Sequence, residues 1–201
     1  MIKKPLTQQR AWQIVLNRLR KKSLWILHYC TGCGAIELPP TKTSRWDMER
    51  FGLIPMATPR QADILLVTGY LAKKSLKRVI LSYEQMQSPK WVVGLGSCTI
   101  DGGMYWDSYS TIKKLDEYIP VDLYIAGCMP QPEAIIAGFG ELIDRIEKGV
   151  ACGWKDYYRN WRWYKINQQK VLGEFDTKVD IAREAEFYRL KNGSKEYQRK
   201  N

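Results

Sequence analysis

Four short segments of near-continuous apolar character punctuate the chain: Leu24 to Tyr29 (LWILHY), Asp63 to Thr68 (DILLVT), Trp91 to Leu95 (WVVGL) and Asp122 to Ala126 (DLYIA). Runs this short and this apolar predict strands buried on both faces, as in a parallel sheet. Between and after them apolar residues recur at helical spacing. The segments are Ser44 to Phe51, Lys74 to Met86 (Leu76, Val79, Ile80, Tyr83), Tyr109 to Tyr118 and Pro132 to Lys148. The last has a proline at its start, the stripe Ile135, Ile136, Phe139, Leu142, Ile143 and Ile146, and a glycine stop at Gly149, the asymmetry expected of helix ends. Alternating strand and helix predict an α/β fold built on a doubly wound parallel sheet.

Two flanking regions break this rhythm. From Lys3 to Lys22 every charge is positive, and Trp12, Val15, Leu16 and Leu19 lie on one helical face with Arg10, Arg18, Arg20, Lys21 and Lys22 around it. This predicts a basic amphipathic helix, either lying on a membrane surface or a partner's groove, or covering its own domain's core. After Gly149 the sequence turns aromatic and basic (WKDYYRNWRWYKINQQK) and then strongly charged. We divide the chain into a basic helix (1–22), an α/β domain (23–150) and a basic aromatic extension (151–201) that packs on the domain surface or on a partner and frays over Lys191 to Asn201.

Composition narrows the class. With 201 residues, 45% of them hydrophobic and 12% aromatic, the chain can bury a core large enough to offset the entropy of ordering it, which excludes a disordered protein. No apolar run approaches bilayer length and the basic start lacks a signal peptide's apolar core, so a cytoplasmic protein without a span of its own is expected. The formal charge of +11 suits nucleic acid, an anionic membrane or acidic proteins alike. Aromatics interleaved with cations in the extension suit single-stranded nucleic acid, but no RNA-binding signature or helix-turn-helix pattern accompanies them, and a protein-protein surface is the preferred reading.

The candidate chemistry lies in the cysteines. Cys30, Cys33, Cys98, Cys128 and Cys152 are an odd set, which argues for metal or redox chemistry over a disulfide framework. Cys30 ends the first strand and Cys33 follows in CTGC; Cys98 comes shortly after the third strand and Cys128 shortly after the fourth. Parallel strands bring all four to one sheet edge, where open α/β sheets build their sites. Neighbouring glycines let backbone N–H groups approach the sulfurs. Four thiolates suit tetrahedral zinc or a 4Fe-4S cluster, and the Cys-x-x-Cys pair alone would suit a dithiol couple. One close pair plus two separated cysteines leans toward the cluster. Cys152, beyond the last helix, reads as an ordinary thiol, and His28 as a core histidine with a satisfied hydrogen bond. Arg60 and Asp63 read as structural or supporting residues.

The stretches SRWDMERFG, TPRQADILLVTG, PKWVVGLGSCTIDGG, YIPVDLYIAGCMPQPEAI and CTGCGAIE resemble the cluster-bearing small subunit of respiratory complex I and of its relatives, the ferredoxin-linked membrane-bound hydrogenases and the archaeal membrane-bound sulfane sulfur reductase. The resemblance runs from Leu24 to about Lys148. It implies a flavodoxin-like fold holding one 4Fe-4S cluster on Cys30, Cys33, Cys98 and Cys128, the last in an electron wire. It also implies a large catalytic subunit, a ferredoxin-like iron-sulfur subunit and membrane-arm subunits as partners, ferredoxin as upstream donor, and a peripheral position on the cytoplasmic side of the membrane.

Two departures sort the branches. The complex I subunit has adjacent cysteines followed by Ala-Val-Glu, whereas here Cys33-Gly34-Ala35-Ile36-Glu37 follows; the hydrogenase relatives typically place the glutamate three residues after the second cysteine, not four. The sulfur-reducing branch is therefore expected ahead of quinone reduction and hydrogen evolution. Glu37 is the candidate proton carrier beside the cluster, or else a carboxylate hydrogen-bonded to backbone or to a partner's arginine. A zinc-stabilised nucleic-acid module is the alternative from a different class.

Overall fold

The computed structural model describes residues 15–55 and 58–173, apart from the side chains of Ala35 and Glu37. Five parallel strands form the central sheet: β1 (Leu24–Cys30), β2 (Leu53–Pro55), β3 (Ile64–Thr68), β5 (Trp91–Leu95) and β7 (Leu123–Ile125), in the spatial order β2-β1-β3-β5-β7. This is the doubly wound order in which the chain first runs outward from β1 to β2 and then returns to continue from β3, so the direction of winding reverses between β1 and β3. A separate antiparallel ribbon pairs β4 (Leu71–Ala72) with β6 (Thr111–Ile112).

β3 explains why its sequence is a continuous apolar run. All five of its residues are buried, and alternate side chains point to opposite faces. Leu65 and Val67 join Leu76, Val79, Ile80, Tyr83 and Val92 in one cluster. Ile64 and Leu66 join Leu24, Ile26, Val93, Ile135, Phe139 and Leu142 in the other. The first cluster is covered by α3 (Lys73–Gln85), α6 (Gly153–Arg159) and α7 (Trp161–Leu172), the second by α2 (Gly34–Thr41) and α5 (Pro132–Glu147). Phe139 is wholly buried, so truncating it to alanine would cost about 3–5 kcal/mol through lost transfer energy and the cavity left behind.

α5 begins with Pro132 at its first turn and ends at Lys148, where Gly149 turns left-handed and its N–H reaches the Ile146 carbonyl at 3.0 Å. α3 ends differently. Lys90 is buried and its ammonium donates to the carbonyls of Tyr83 (2.7 Å) and Met86 (3.2 Å), over the Tyr83 ring. A cation here meets both the last carbonyls and the negative end of the helix.

The four predicted strands and the helices over Lys74–Met86 and Pro132–Lys148 are present, within a residue or two at their ends. Two predicted helices are not. Over Ser44–Phe51 the chain turns at Asp47, whose φ is +42°, leaving only a 3-10 turn at Met48–Phe51; a left-handed residue cannot sit inside a right-handed helix. Over Tyr109–Tyr118 it forms β6 and a short 3-10 turn, Leu115–Glu117, because Lys73 N–H bonds to Ser110 O and draws that stretch into the ribbon. The residues after Cys33 form α2, a helix with no counterpart among the predicted segments. The aromatic region folds onto the domain: Tyr157, Tyr158 and Tyr164 are buried in the first cluster, and Gln168 donates to Tyr118 O at 2.8 Å.

At the other end residues 15–20 are helical (α1), and Val15, Leu16 and Leu19 are exposed. These three residues of the apolar face do not cover the described domain's core. Trp12 and the terminal Lys191–Asn201 lie outside the described residues.

Candidate functional site

The register of the sheet sets the site. Cys30, Thr68, Leu95 and Ile125 occupy one transverse row at the carboxyl ends of β1, β3, β5 and β7. Cys30 stands in that row, Cys33 follows it and opens α2, and Cys98 and Cys128 each come three residues beyond it. Cys98 lies in α4 (Ser97–Asp101) and Cys128 in the loop after β7. All four are free thiols, three of them exposed and Cys98 partly buried. The site sits at the reversal between β1 and β3, extended over β5 and β7.

The CTGC loop is laid onto the end of β3. Thr31 donates to the Thr68 carbonyl through both its N–H (3.0 Å) and its hydroxyl (2.5 Å). Gly69, with φ +76°, passes so close to Thr31 that any side chain there would strike the Thr31 carbonyl. His28 Nε2 lies 2.9 Å from Thr68 Oγ1, and burial, with a contribution from Lys42, lowers its pKa to about 4. It is therefore a neutral, hydrogen-bonded histidine beneath the loop at neutral pH.

Cys98 is the best-enclosed sulfur. Gly103 arches over it: a Cβ at that position would stand 2.9 Å from Sγ. Burial pushes the thiol's pKa up, the Met104 N–H pulls it down, and the neighbouring Cys128 and Cys33 push it up again. The electrostatic influence of Cys128 and Cys33 on Cys98 places thiols from three segments of the chain in one neighbourhood. Among the described residues no three ligating side chains close around one ion-sized point. Tetrahedral zinc would need all four sulfurs about 2.3 Å from a common centre; thiols spread over three segments suit a polynuclear group with separate corners better.

The remaining candidates fall elsewhere. Asp63 precedes β3, at the opposite edge of the sheet, and its carboxylate accepts the Trp25 N–H at 3.0 Å; Arg60 lies in the turn before it. Asp63 thus ties the start of β3 to β1, and Arg60 is exposed. Cys152 precedes α6 and donates to Gly149 O at 3.2 Å. Glu37 lies on α2, four residues after Cys33; its side chain is outside the described part. The residues that sequence reasoning missed are Thr68, which anchors the loop, and Met104, which donates through its backbone. A backbone donor leaves no mark on residue type. Beside the thiols stands an exposed apolar rim, Ile36, Tyr70, Met104, Tyr105 and Trp106, with the Tyr70 and Tyr105 ring centroids 4.7 Å apart.

The fold and site define a class: a flavodoxin-like α/β protein with four free thiols at the switch edge of its sheet. Residues 30–142 match the model of the NADH ubiquinone oxidoreductase 20 kDa subunit, and the chain belongs to that family. It is 44% identical over 135 residues to a subunit of the F420H2 dehydrogenase of Methanosarcina mazei, covering 67% of this chain and 73% of that one. It is 45% identical over 134 residues to a subunit of the NADH-quinone oxidoreductase of Geobacter metallireducens, covering 67% and 78%. Among solved structures, a chain of the membrane-bound sulfane sulfur reductase, an archaeal respiratory membrane complex, is 53% identical with a TM-score of 0.78, covering 87% of this chain and 95% of that chain. The nucleic-acid module considered above gives way to this membership. No helix among the described residues is long and apolar enough to cross a membrane.

Proposed function

We propose that this chain is the electron-transfer subunit of a membrane-bound, ferredoxin-linked respiratory oxidoreductase, and that Cys30, Cys33, Cys98 and Cys128 hold one 4Fe-4S cluster. The observation that carries this reading is the gathering of four free thiols at the carboxyl edge of the sheet, with Cys98 sensing Cys33 and Cys128. When bound, such a cluster takes up and releases one electron at a time.

The chain's own residues supply position and tuning. At Cys98 the Met104 N–H favours a thiolate against the burial that disfavours one, and the Gly103 backbone packs close over the sulfur; hydrogen bonding and burial are two of the levers that set a cluster's potential. The Thr31–Thr68 clamp fixes the loop that carries Cys30 and Cys33. The exposed rim of Ile36, Tyr70, Met104, Tyr105 and Trp106 suits docking of a large catalytic subunit over the thiols, with the terminal acceptor reduced at that interface,. A ferredoxin-like iron-sulfur subunit would deliver electrons from ferredoxin, membrane-arm subunits would complete the complex, and the chain would sit peripherally on the cytoplasmic side.

Sulfane sulfur is the acceptor we favour, supported by the 53% identity to a chain of the sulfane sulfur reductase. In this reading Glu37, about one turn beyond Cys33 on α2, carries protons to the reduced product. Anaerobic purification with metal and sulfide analysis, then low-temperature EPR after dithionite, tests the assignment. Iron and acid-labile sulfide in equal amounts with an S = 1/2 signal are expected; stoichiometric zinc without sulfide would refute it.

A further inference from the structure

α1 is held to the domain along one side. Arg18 Nε lies 3.0 Å and Lys21 Nζ 2.7 Å from the two carboxylate oxygens of Glu147, at the end of α5, and Asn17 comes beside Gly149 just beyond it. At 3.6 residues per turn, Asn17, Arg18 and Lys21 share one side of the helix, and Val15, Leu16 and Leu19 fall on the opposite one. Those three are 46%, 41% and 65% exposed. The ion pairs therefore do more than tether α1; they turn its apolar stripe away from the described domain. The exposed Lys22 follows one border of the stripe, and Arg20, partly buried with its charge acting also on Asp63, follows the other; basic heads so placed reach a polar interface while apolar side chains sink below it.

The sign of charge selects the occupant. Residues 1–22 contain seven Lys or Arg, and no Asp or Glu occurs before Glu37. A protein groove is usually met by both signs, because pairing and repulsion fix register. A surface of anionic headgroups is laterally uniform and asks only for positive charge beside apolar area.

We propose that α1 lies on a lipid bilayer, its Val15-Leu16-Leu19 stripe at the headgroup boundary and its cations on anionic phospholipid, with Glu147 setting the angle at which the domain stands on the membrane. α1 leads into the start of β1, the opposite end of that strand from Cys30, and its role is independent of whether the cysteines hold a cluster.

The test is flotation of the full chain with vesicles of phosphatidylcholine containing about 30% phosphatidylglycerol, and with phosphatidylcholine alone. The chain should float with the anionic vesicles, less so at high salt. The paired Leu16→Asn and Leu19→Asn variant keeps every charge and alters only exposed side chains; about tenfold weaker flotation is expected from it, with unchanged circular dichroism. Leu19→Asn alone should move in the same direction, and the paired Arg20→Gln and Lys22→Gln variant should lose the preference for anionic vesicles. Equal flotation of parent and Leu16/Leu19 variant would show adsorption by net charge alone and overturn the proposal. Failure to float, with the same variant lost from co-purification with other subunits, would assign the stripe to a protein groove instead.

Discussion

Gly69 passes so close to Thr31 that a Cβ on it would stand 1.5 Å from the Thr31 carbonyl oxygen. The strand end of β3 and the loop carrying Cys30 and Cys33 are thus in backbone contact, with no side chain between them. Gly69→Ala must move that loop as well as adopt φ +76°, and the backbone conformation alone costs roughly 1–3 kcal/mol. We expect a lower denaturation midpoint together with reduced iron and sulfide per chain. Wild-type cofactor content in this variant would argue against the loop as a ligand carrier.

The two classes of cysteine should separate cleanly. Cys98→Ala removes the most enclosed of the four thiols and should abolish the reduced EPR signal and the acid-labile sulfide. If the proposed donor and acceptor hold, it should also abolish ferredoxin-dependent reduction of sulfane sulfur by the assembled complex. Cys152→Ser, whose parent thiol meets only a local carbonyl at 3.2 Å, should leave the sulfide content within error of wild type. A fully loaded cluster in Cys98→Ala would count decisively against the proposed ligand set.

Asp122 gives the fold a specific pH dependence. Its carboxylate accepts the N–H groups of Val92 (3.0 Å) and Gly153 (2.9 Å), joining β5 to the start of α6. Burial nonetheless raises its pKa to about 6, against those two hydrogen bonds. The folded state therefore binds a proton that the unfolded chain has already released, so this contribution is fully present below about pH 4 and lost as the pH rises through about 6. The difference is on the order of 3 kcal/mol. Asp122→Asn cannot titrate: urea denaturation between about pH 4.5 and 7 should show wild type losing stability relative to the variant as pH rises. Parallel profiles would show that Asp122 does not titrate in this window.

Lys90→Met tests the buried cation at the end of α3. The substitution keeps most of the side chain's volume but removes the ammonium donor from the Tyr83 and Met86 carbonyls, the first of which keeps the Met86 N–H at 3.3 Å, and removes the charge over the Tyr83 ring. A loss of about 2–4 kcal/mol is expected in denaturant titrations. A neutral outcome would mean that water reaches those carbonyls.

The parts of the fold legible in the sequence are those whose burial is one-sided or complete over a whole element. β3 is buried on both faces and reads as ILLVT; α5 buries one stripe and reads at helical period. β2 was invisible because three residues, Leu53–Pro55, make no pattern. Tyr109–Tyr118 carries apolar residues at helical spacing, yet the backbone bond from Lys73 to Ser110 recruits it into the ribbon; that competition is tertiary and leaves no local signature. At the site, the positions of the cysteines after strand ends were enough to place them at one edge. Thr68 was not recognisable, since its role lies in the carbonyl and hydroxyl it offers to Thr31 and His28, and a threonine ending a strand is ordinary.

The order of the strands also bears on assembly. Cys30 belongs to the first strand of the sheet and Cys128 follows the last, so the sulfurs meet only after every parallel crossover between them has been completed. Such topologies have high contact order and gain their long-range contacts late in folding. A compact zinc finger folds around its metal; here the ligating rim is a product of the finished sheet. A cluster would then be received by a preformed acceptor, and its removal by chelation should leave the sheet and helices standing.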